Sequence, residues 1–355
     1  MKQDEVDGNF KLKPLPKEDS IEWIKVPDER ISLYGVSYDE EHSCFRRLDQ
    51  EKAKKVNEYI LWLSSHTSGG RIKFKTDSPY LAIKVIAPSD PIWPNIAPCS
   101  SHGCSVYDGA SLIGVVGPDY LRLNDVVNNS IAYNGTINFI SSNMHDVTIF
   151  MPSYNGVNEM YIGIKKGSTI EKNNYHSNKK IVFYGSSITQ GANASRGGND
   201  YAALISRWAD VDYKNFGFSG RCKGELIMAH YIKEEKPNLI IVEYDYNAST
   251  IEELEKSHYA FYKELRKLMN NVPIIFFSRA NSELPLSKER MEIIKNTYIK
   301  AKEENDKNIH FIDGSLLFGE SNRDLCTVDG IHPSDIGFYR MACYLFDYIK
   351  KNDLL

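Results

Sequence analysis

Five short apolar runs in the second half of the chain do most to limit its fold: KIVFYG, YKNFGFSG, NLIIVEY, VPIIFFS and IHFID. Between them lie DYAALISRWA, GELIMAHYIKEE, TIEELEKSHYAFYKELRKLM and SKERMEIIKNTYIKAKEEN, and SDIGFYRMACYLFDYIKK follows the last. Strands that are apolar on both faces need cover on both faces, and the amphipathic stretches between them supply it. The pattern predicts an α/β layer structure with a parallel sheet. Ligands of such sheets bind beyond the carboxyl ends of the strands. Chemistry is therefore expected just after each apolar run.

The first half keeps a different rhythm. RIKFKTDS, YLAIKVIA, TINFISS, DVTIFMPSY and NEMYIGIKKG alternate apolar and polar residues, with SGG, DGA and YNG as turn signals. Period-two runs punctuated in this way predict an antiparallel β-sandwich. QEKAKKVNEYILWLSSH fits a helical turn or a strand equally. KKGSTIEKNNYHSNKK, residues 165 to 180, is polar and lysine-rich and reads as a linker. At 355 residues, two domains are the default: residues 1–170 as the sandwich and 178–355 as the α/β part.

Several function classes drop out. The net charge is −4 and no long basic run occurs, so nucleic acid is not an expected partner. The start, MKQDEVDGNFKLKPLPKEDS, has no apolar signal core. No apolar run approaches the roughly 18–20 residues of a membrane span. The expectation is a cytoplasmic chain without a membrane partner. The six cysteines include no C-x-x-C pair, and no H-E-x-x-H is present, so free thiols and no metal site are expected. No cofactor is expected either: the glycine turn after the first apolar run lacks the G-K-[ST] of a phosphate loop.

The first run closes on Gly185, and Ser186-Ser187-Ile188-Thr189-Gln190-Gly191 follow it. Thr189 stands where a G-x-S-x-G elbow has its second glycine. Alone, the stretch suits a helix cap as well as a nucleophile. Gly220, after the second run, is either a turn glycine or a backbone N–H open to a cleft. Asn247, after the third, either caps a helix near Thr250 or offers an amide to an oxyanion. Asp329 and His332 lie three residues apart before the last helix, and Pro333 keeps His332 extended. The pair is either a solvated loop or a carboxylate fixing an imidazole tautomer, with Nε2 free to take a serine proton. Taken together at one sheet edge, these residues comprise a nucleophile, a base, its orienter and oxyanion donors.

The blocks GSSITQG, NFGFSG, EYDYN and DGIHP, within residues 178 to 350, resemble those of the SGNH hydrolases, also called GDSL esterases. Ser186 and Ile188 depart from G-D-S-L, at the aspartate and leucine positions. The resemblance implies a three-layer α/β/α, flavodoxin-like domain, with Ser187, His332 and Asp329 as triad. It implies Ser187, Gly220 and Asn247 as the oxyanion hole. GVSYDEEHSCFRRL and RIKFKTDSPYLAIKV are similar to the front domain of a two-domain subgroup, an all-β, jelly-roll-like sandwich whose G-x-D-L-Y signature is altered here to Gly103-Cys104-Ser105-Val106-Tyr107. That subgroup implies a short-chain, carbohydrate-directed acetylesterase acting on a small-molecule or oligosaccharide ester. A hydrolase of longer acyl chains, and a carbohydrate-binding protein with a degenerate hydrolase half, are the competing readings. Arg196 is either a substrate contact or an ordinary surface arginine. Trp93, His102 and Tyr107 either stack on a sugar or pack against the second domain. Trp208 is expected in the core.

Overall fold

The computed structural model describes residues 6–8, 13–90, 93–118, 129–141 and 143–355. Parts of the polar start and Ser142 of the TINFISS run lie outside the described residues. In the C-terminal region the five apolar runs form parallel strands: β1 (Lys180–Gly185), β2 (Asp212–Gly217), β3 (Leu239–Glu243), β4 (Ile274–Phe277) and β5 (Ile309–Ile312). Their order across the sheet is β2-β1-β3-β4-β5, the doubly wound flavodoxin-like order. In this order β1 and β3 flank the point where the winding reverses, so a crevice opens beyond their carboxyl ends.

Six helices connect or flank these strands: α1 (Ser187–Gln190), α2 (Tyr201–Ala209), α3 (Leu226–Glu234), α4 (Ile251–Leu268), α5 (Ser287–Glu303) and α6 (Asp335–Lys351). Side-chain alternation along each strand sorts the sheet into two cores. Ile181, Phe183 and Ile241 pack with α2 and α6 on one face. Val182, Tyr184, Ile240 and Val242 pack with α3, α4 and α5 on the other. Trp208 is only partly covered, at 38% exposure, because the last turn of α2 leaves it over Tyr339 and Phe346 at the surface. That corrects its placement in the core.

The N-terminal region is antiparallel. One sheet runs in the order Ile21–Lys25, Glu159–Lys165, Tyr80–Pro88, Ser130–Asn138. The other runs Ile170–Lys172, Arg71–Thr76, His145–Phe150, Cys104–Asp108, Ser111–Val116, with Ser32–Tyr34 also on Arg71–Thr76. Ile83, Val85 and Ile162 of the first face Ile72, Phe74 and Val147 of the second in one core. The undecided stretch after Asp49 forms two helices, Gln50–Val56 and Glu58–Ser64. Asp49 and Asn57 cap them through the N–H groups of Lys52 and Ile60. The segment expected as a linker is tied down, because Ile170–Lys172 pairs with Arg71–Thr76 and Tyr175 O–H accepts from Arg71 Nε at 2.8 Å.

The two regions share their cores. Tyr107 and Phe150 join the α2/α6 side, while Leu48, Ala53, Ile60 and Leu63 join the α3/α4/α5 side. Two buried arginines of the N-terminal region reach β2. Arg47 donates to the carbonyls of Leu63, His66, Asn215 and Gly217, and its guanidinium lies 4.5 Å from the centre of the Phe218 ring. Burial without a carboxylate partner pulls Arg47 down to about 9. Arg71 donates to the Tyr213 carbonyl and the Asp212 carboxylate, and stacks on Tyr213 at 3.9 Å.

Candidate active site

The adjacent serines part company at the end of β1. Gly185 closes the strand because a Cβ there would lie 2.2 Å from Thr189 Oγ1 and 2.3 Å from the Glu243 carbonyl oxygen. Ser186 is the N-cap of α1: its Oγ accepts from the Ile188 N–H at 3.1 Å and donates to Glu243 Oε1 at 2.8 Å. Ser187 is the first residue of the helix, and its Oγ lies 2.8 Å from His332 Nε2. The cap and the candidate nucleophile are therefore different residues.

His332 sits in the turn before α6, closed by a bond from Val328 N–H to the His332 carbonyl. Its Nδ1 lies 2.7 Å from Asp329 Oδ2. An ionised carboxylate only accepts, so Nδ1 carries the hydrogen and Nε2 is left to accept from Ser187 Oγ. Asp329 Oδ1 accepts from the N–H groups of Ile331 and His332 at 3.0 and 2.7 Å. Partial burial works to raise the Asp329 carboxyl, but the bonds from His332 and Ile331 outweigh it and hold the group below its ordinary value.

Gly220 and Asn247 reach the same rim, but not as open donors. The Gly220 N–H donates to Asn247 Oδ1 at 3.0 Å, with Gly220 at φ +69° in a conformation that favours glycine. The Asn247 amide donates to the carbonyls of Phe218 and Cys222 at 3.2 and 2.9 Å. Those carbonyls, in the turn where the chain leaves β2, take up the amide hydrogens expected in the cleft. The Ser187 N–H, first in its helix, has no acceptor among the described residues.

The remaining candidates divide. Trp93 is half-buried, edge-on to Tyr154 at 5.7 Å, and Tyr154 O–H donates to the Ser187 carbonyl. This places Trp93 one residue removed from Ser187, through Tyr154. Tyr107 is buried under α2, where the Arg207 guanidinium lies 4.1 Å from its ring centre and Arg196 Nε donates to its hydroxyl. Tyr107 thus packs against the second region instead of offering a face to a sugar. Arg196 also donates to Ser195 Oγ and Asn199 Oδ1, so its guanidinium is engaged within the protein. His102 is 1% exposed and bonded to Ser101, and burial pulls it down to about 4, so it is neutral and closed to stacking.

Three groups escaped the sequence reading. Glu243 Oε1 accepts four bonds, from the N–H and Oγ of Ser186 and the N–H and Oγ1 of Thr189. Its Oε2 is buried with no partner among the described residues. Burial pushes this carboxyl up to about 7, against the Thr189 and Ser186 bonds that favour its charge. A charged residue closing the run NLIIVE was the available signal. Gln190 links α1 to the Gly220 turn, with its Oε1 accepting from Ser219 N–H at 3.0 Å and its Nε2 at 3.3 Å from His66 Nδ1. Asn95 of the N-terminal region donates from Nδ2 to Asp329 Oδ2 at 2.8 Å. Nothing in the sequence around Asn95 marks it. Among the described residues, no three His, Cys, Asp or Glu side chains gather as a metal site. No helix there is long and apolar enough to cross a membrane. All six cysteines are free thiols.

Comparison with known proteins agrees with this architecture. Residues 178–350 match the GDSL-like Lipase/Acylhydrolase family. Residues 21–170 match the GxDLY family, the N-terminus of the SGNH-hydrolase-type esterases. No curated protein sequence matches the chain. A Bacteroides ovatus protein described as a GDSL-like lipase superimposes with a TM-score of 0.81 at 25% identity, over 93% of this chain and 97% of its own. The salicylyl-acyltransferase SsfX3 of a tetracycline biosynthetic pathway gives 0.79 at 18%, over 96% and 99%. An acetyl xylan esterase from the rumen bacterium Butyrivibrio proteoclasticus gives 0.62 at 13%, over 94% and 98%. Residues 178–350 therefore belong to the GDSL-like lipase/acylhydrolase family, and they follow a region that matches the GxDLY-type N-terminus of SGNH-hydrolase-type esterases.

Proposed function

We propose that the protein is a serine esterase that removes short acyl groups, with acetyl esters of carbohydrates as its substrate class. One observation carries the reading: the unbroken relay from Ser187 Oγ to His332 Nε2 at 2.8 Å and from His332 Nδ1 to Asp329 Oδ2 at 2.7 Å. His332 takes the Ser187 proton as Oγ attacks the ester carbonyl, and Asp329 stabilises the imidazolium that forms. The Ser187 N–H meets the oxyanion. The Gly220 N–H and the Asn247 amide join it when the acyl oxygen displaces their present bonds. His332 then protonates the leaving alkoxide, and water releases the acyl group from Ser187 in a second cycle.

The carbohydrate part of the reading is supported by fold likeness to an acetyl xylan esterase and by Trp93, which packs on Tyr154, the residue whose hydroxyl binds the Ser187 carbonyl. A second outcome for the acyl-serine, transfer to an alcohol instead of water, is favoured by the fold shared with an acyltransferase. The test is hydrolysis of p-nitrophenyl acetate, butyrate and octanoate by wild type and Ser187→Ala, repeated with acetylated oligosaccharides. Acetate cleavage that vanishes in the variant supports the reading. Preference for octanoate would replace it with a long-chain hydrolase. Faster p-nitrophenol release with added alcohol, and appearance of the new ester, would identify transfer.

A further inference from the structure

We infer that Asn95 is a positioning residue of the Ser187–His332–Asp329 relay, so that the N-terminal region completes the active site of the C-terminal one. The inference rests on the esterase reading. Asn95 and Asp329 are 234 residues apart in the chain, yet Asn95 Nδ2 lies 2.8 Å from Asp329 Oδ2, the same oxygen that holds His332 Nδ1 at 2.7 Å.

The loop that carries Asn95 is anchored on both sides. Ile96 is 5% exposed and sits between Tyr154 of its own region and Ala192 just after α1. Cys99 Sγ–H donates to the Ser195 carbonyl. Ser153 N–H donates to the Ser100 carbonyl at 3.0 Å, and Ile96 N–H closes the turn onto the Trp93 carbonyl at 3.1 Å. Asn95 therefore stands at the tip of a turn whose neighbours are fixed to the segment following Ser187. Two further bonds from the same region reach α1: Tyr154 O–H to the Ser187 carbonyl and Ser68 Oγ to the Gln190 carbonyl.

Asp329 needs such a partner. Its side chain is 30% exposed, so water can reach the carboxylate, compete with His332 and let the group turn. Its Oδ1 is held by two backbone N–H groups. Asn95 supplies the matching hold on Oδ2. With both oxygens fixed, the carboxylate plane and the imidazole bonded to it have one orientation. An amide does this without adding charge: of the charged groups nearby, Asp335 is spent on Ser195 N–H and Arg196 on its own loop and Tyr107.

The experiment measures kcat, KM and the pH profile of kcat/KM for the full chain on p-nitrophenyl acetate, with wild type, Ser187→Ala, Asn95→Ala and Asn95→Asp. Asn95→Ala should lower kcat/KM roughly tenfold, the size expected for a lost bond to a charged group, with KM unchanged. Asn95→Asp keeps the side-chain shape but adds a carboxylate that favours the imidazolium. Its acid limb should move up by about one pH unit, which a merely structural role would not do. Asn95→Ala as active as wild type, or an unmoved acid limb in Asn95→Asp, overturns the inference. If wild type itself is inactive, or Ser187→Ala equals it, the esterase reading has failed instead.

Discussion

At the scale of single residues, two neighbouring hydroxyls have separate duties. Ser186 caps α1 and is bonded to Glu243, while Ser187 faces His332. Ser187→Ala should cut kcat/KM at least about a thousandfold, as loss of a nucleophile does. Ser186→Ala should cost about 1 kcal/mol of stability, the usual price of an N-cap, and leave kcat within roughly tenfold. Parallel denaturation and rate measurements on the two variants check this, and equal rates in both would contradict the division. Asn247 is bonded on both sides of its amide, so Asn247→Ala removes the Gly220 anchor along with a prospective oxyanion donor. Its kcat should fall about a hundredfold. Less than a threefold loss would show that neither contact serves the reaction.

At the scale of elements, the carboxyl end of β3 holds the start of α1. Glu243 gathers four donors on one oxygen, two from Ser186 at the N-cap of α1 and two from Thr189 within it. Its folded value of about 7 lies above the ordinary 4.5, so between these values the unfolded chain releases a proton that the folded chain keeps. The stability this group contributes is therefore full below pH 4.5 and is lost as pH rises through 7. Glu243→Gln cannot ionise. Referred to wild type, its melting temperature should rise with pH across that window, and a pH-independent difference in calorimetry would refute the assignment. The groups that bear on Glu243 are Asp245, also pushed up by burial, to about 6, and Ser186 and Thr189.

The same elements show what could be read in advance. The apolar runs announced the parallel sheet, most plainly at Lys180–Gly185 and Leu239–Glu243, because burial on both faces leaves no polar period. Ser187, Asp329 and His332 were legible because the ends of such strands are where side chains converge. The helices at Gln50–Val56 and Glu58–Ser64 were not: a seven-residue helix packed on a neighbouring core shows too few turns to establish a period. Neither was Trp208, since a helix position facing the core and one at its margin look alike in sequence. Asn95 was illegible for another reason. Its contact depends on where a loop of one region lands on the other, and no local pattern records that.

At the scale of the whole molecule, the N-terminal region is built into both hydrophobic cores of the other region. The buried Arg47 guanidinium is one of these ties, since it binds the carbonyls of Leu63 and His66 in its own region and of Asn215 and Gly217 in β2. Arg47→Met fills similar space but takes this donor away from the carbonyls of His66, Asn215 and Gly217, while the Leu63 carbonyl keeps the His66 N–H. It should lose about 3 kcal/mol and lower the melting temperature by about 4 °C. A change under about 1 °C would mean that water replaces the guanidinium without penalty. The position of these arginines has a wider consequence. β2 is the last strand on its side of the parallel sheet, and every second carbonyl along it, from Tyr213, Asn215 and Gly217, accepts from Arg71 or Arg47. Uncovered, such a row is a template on which another chain can add a strand. The N-terminal region therefore doubles as a guard against self-association: residues 178–355 produced alone would carry a sticky margin that the whole protein never shows to solvent.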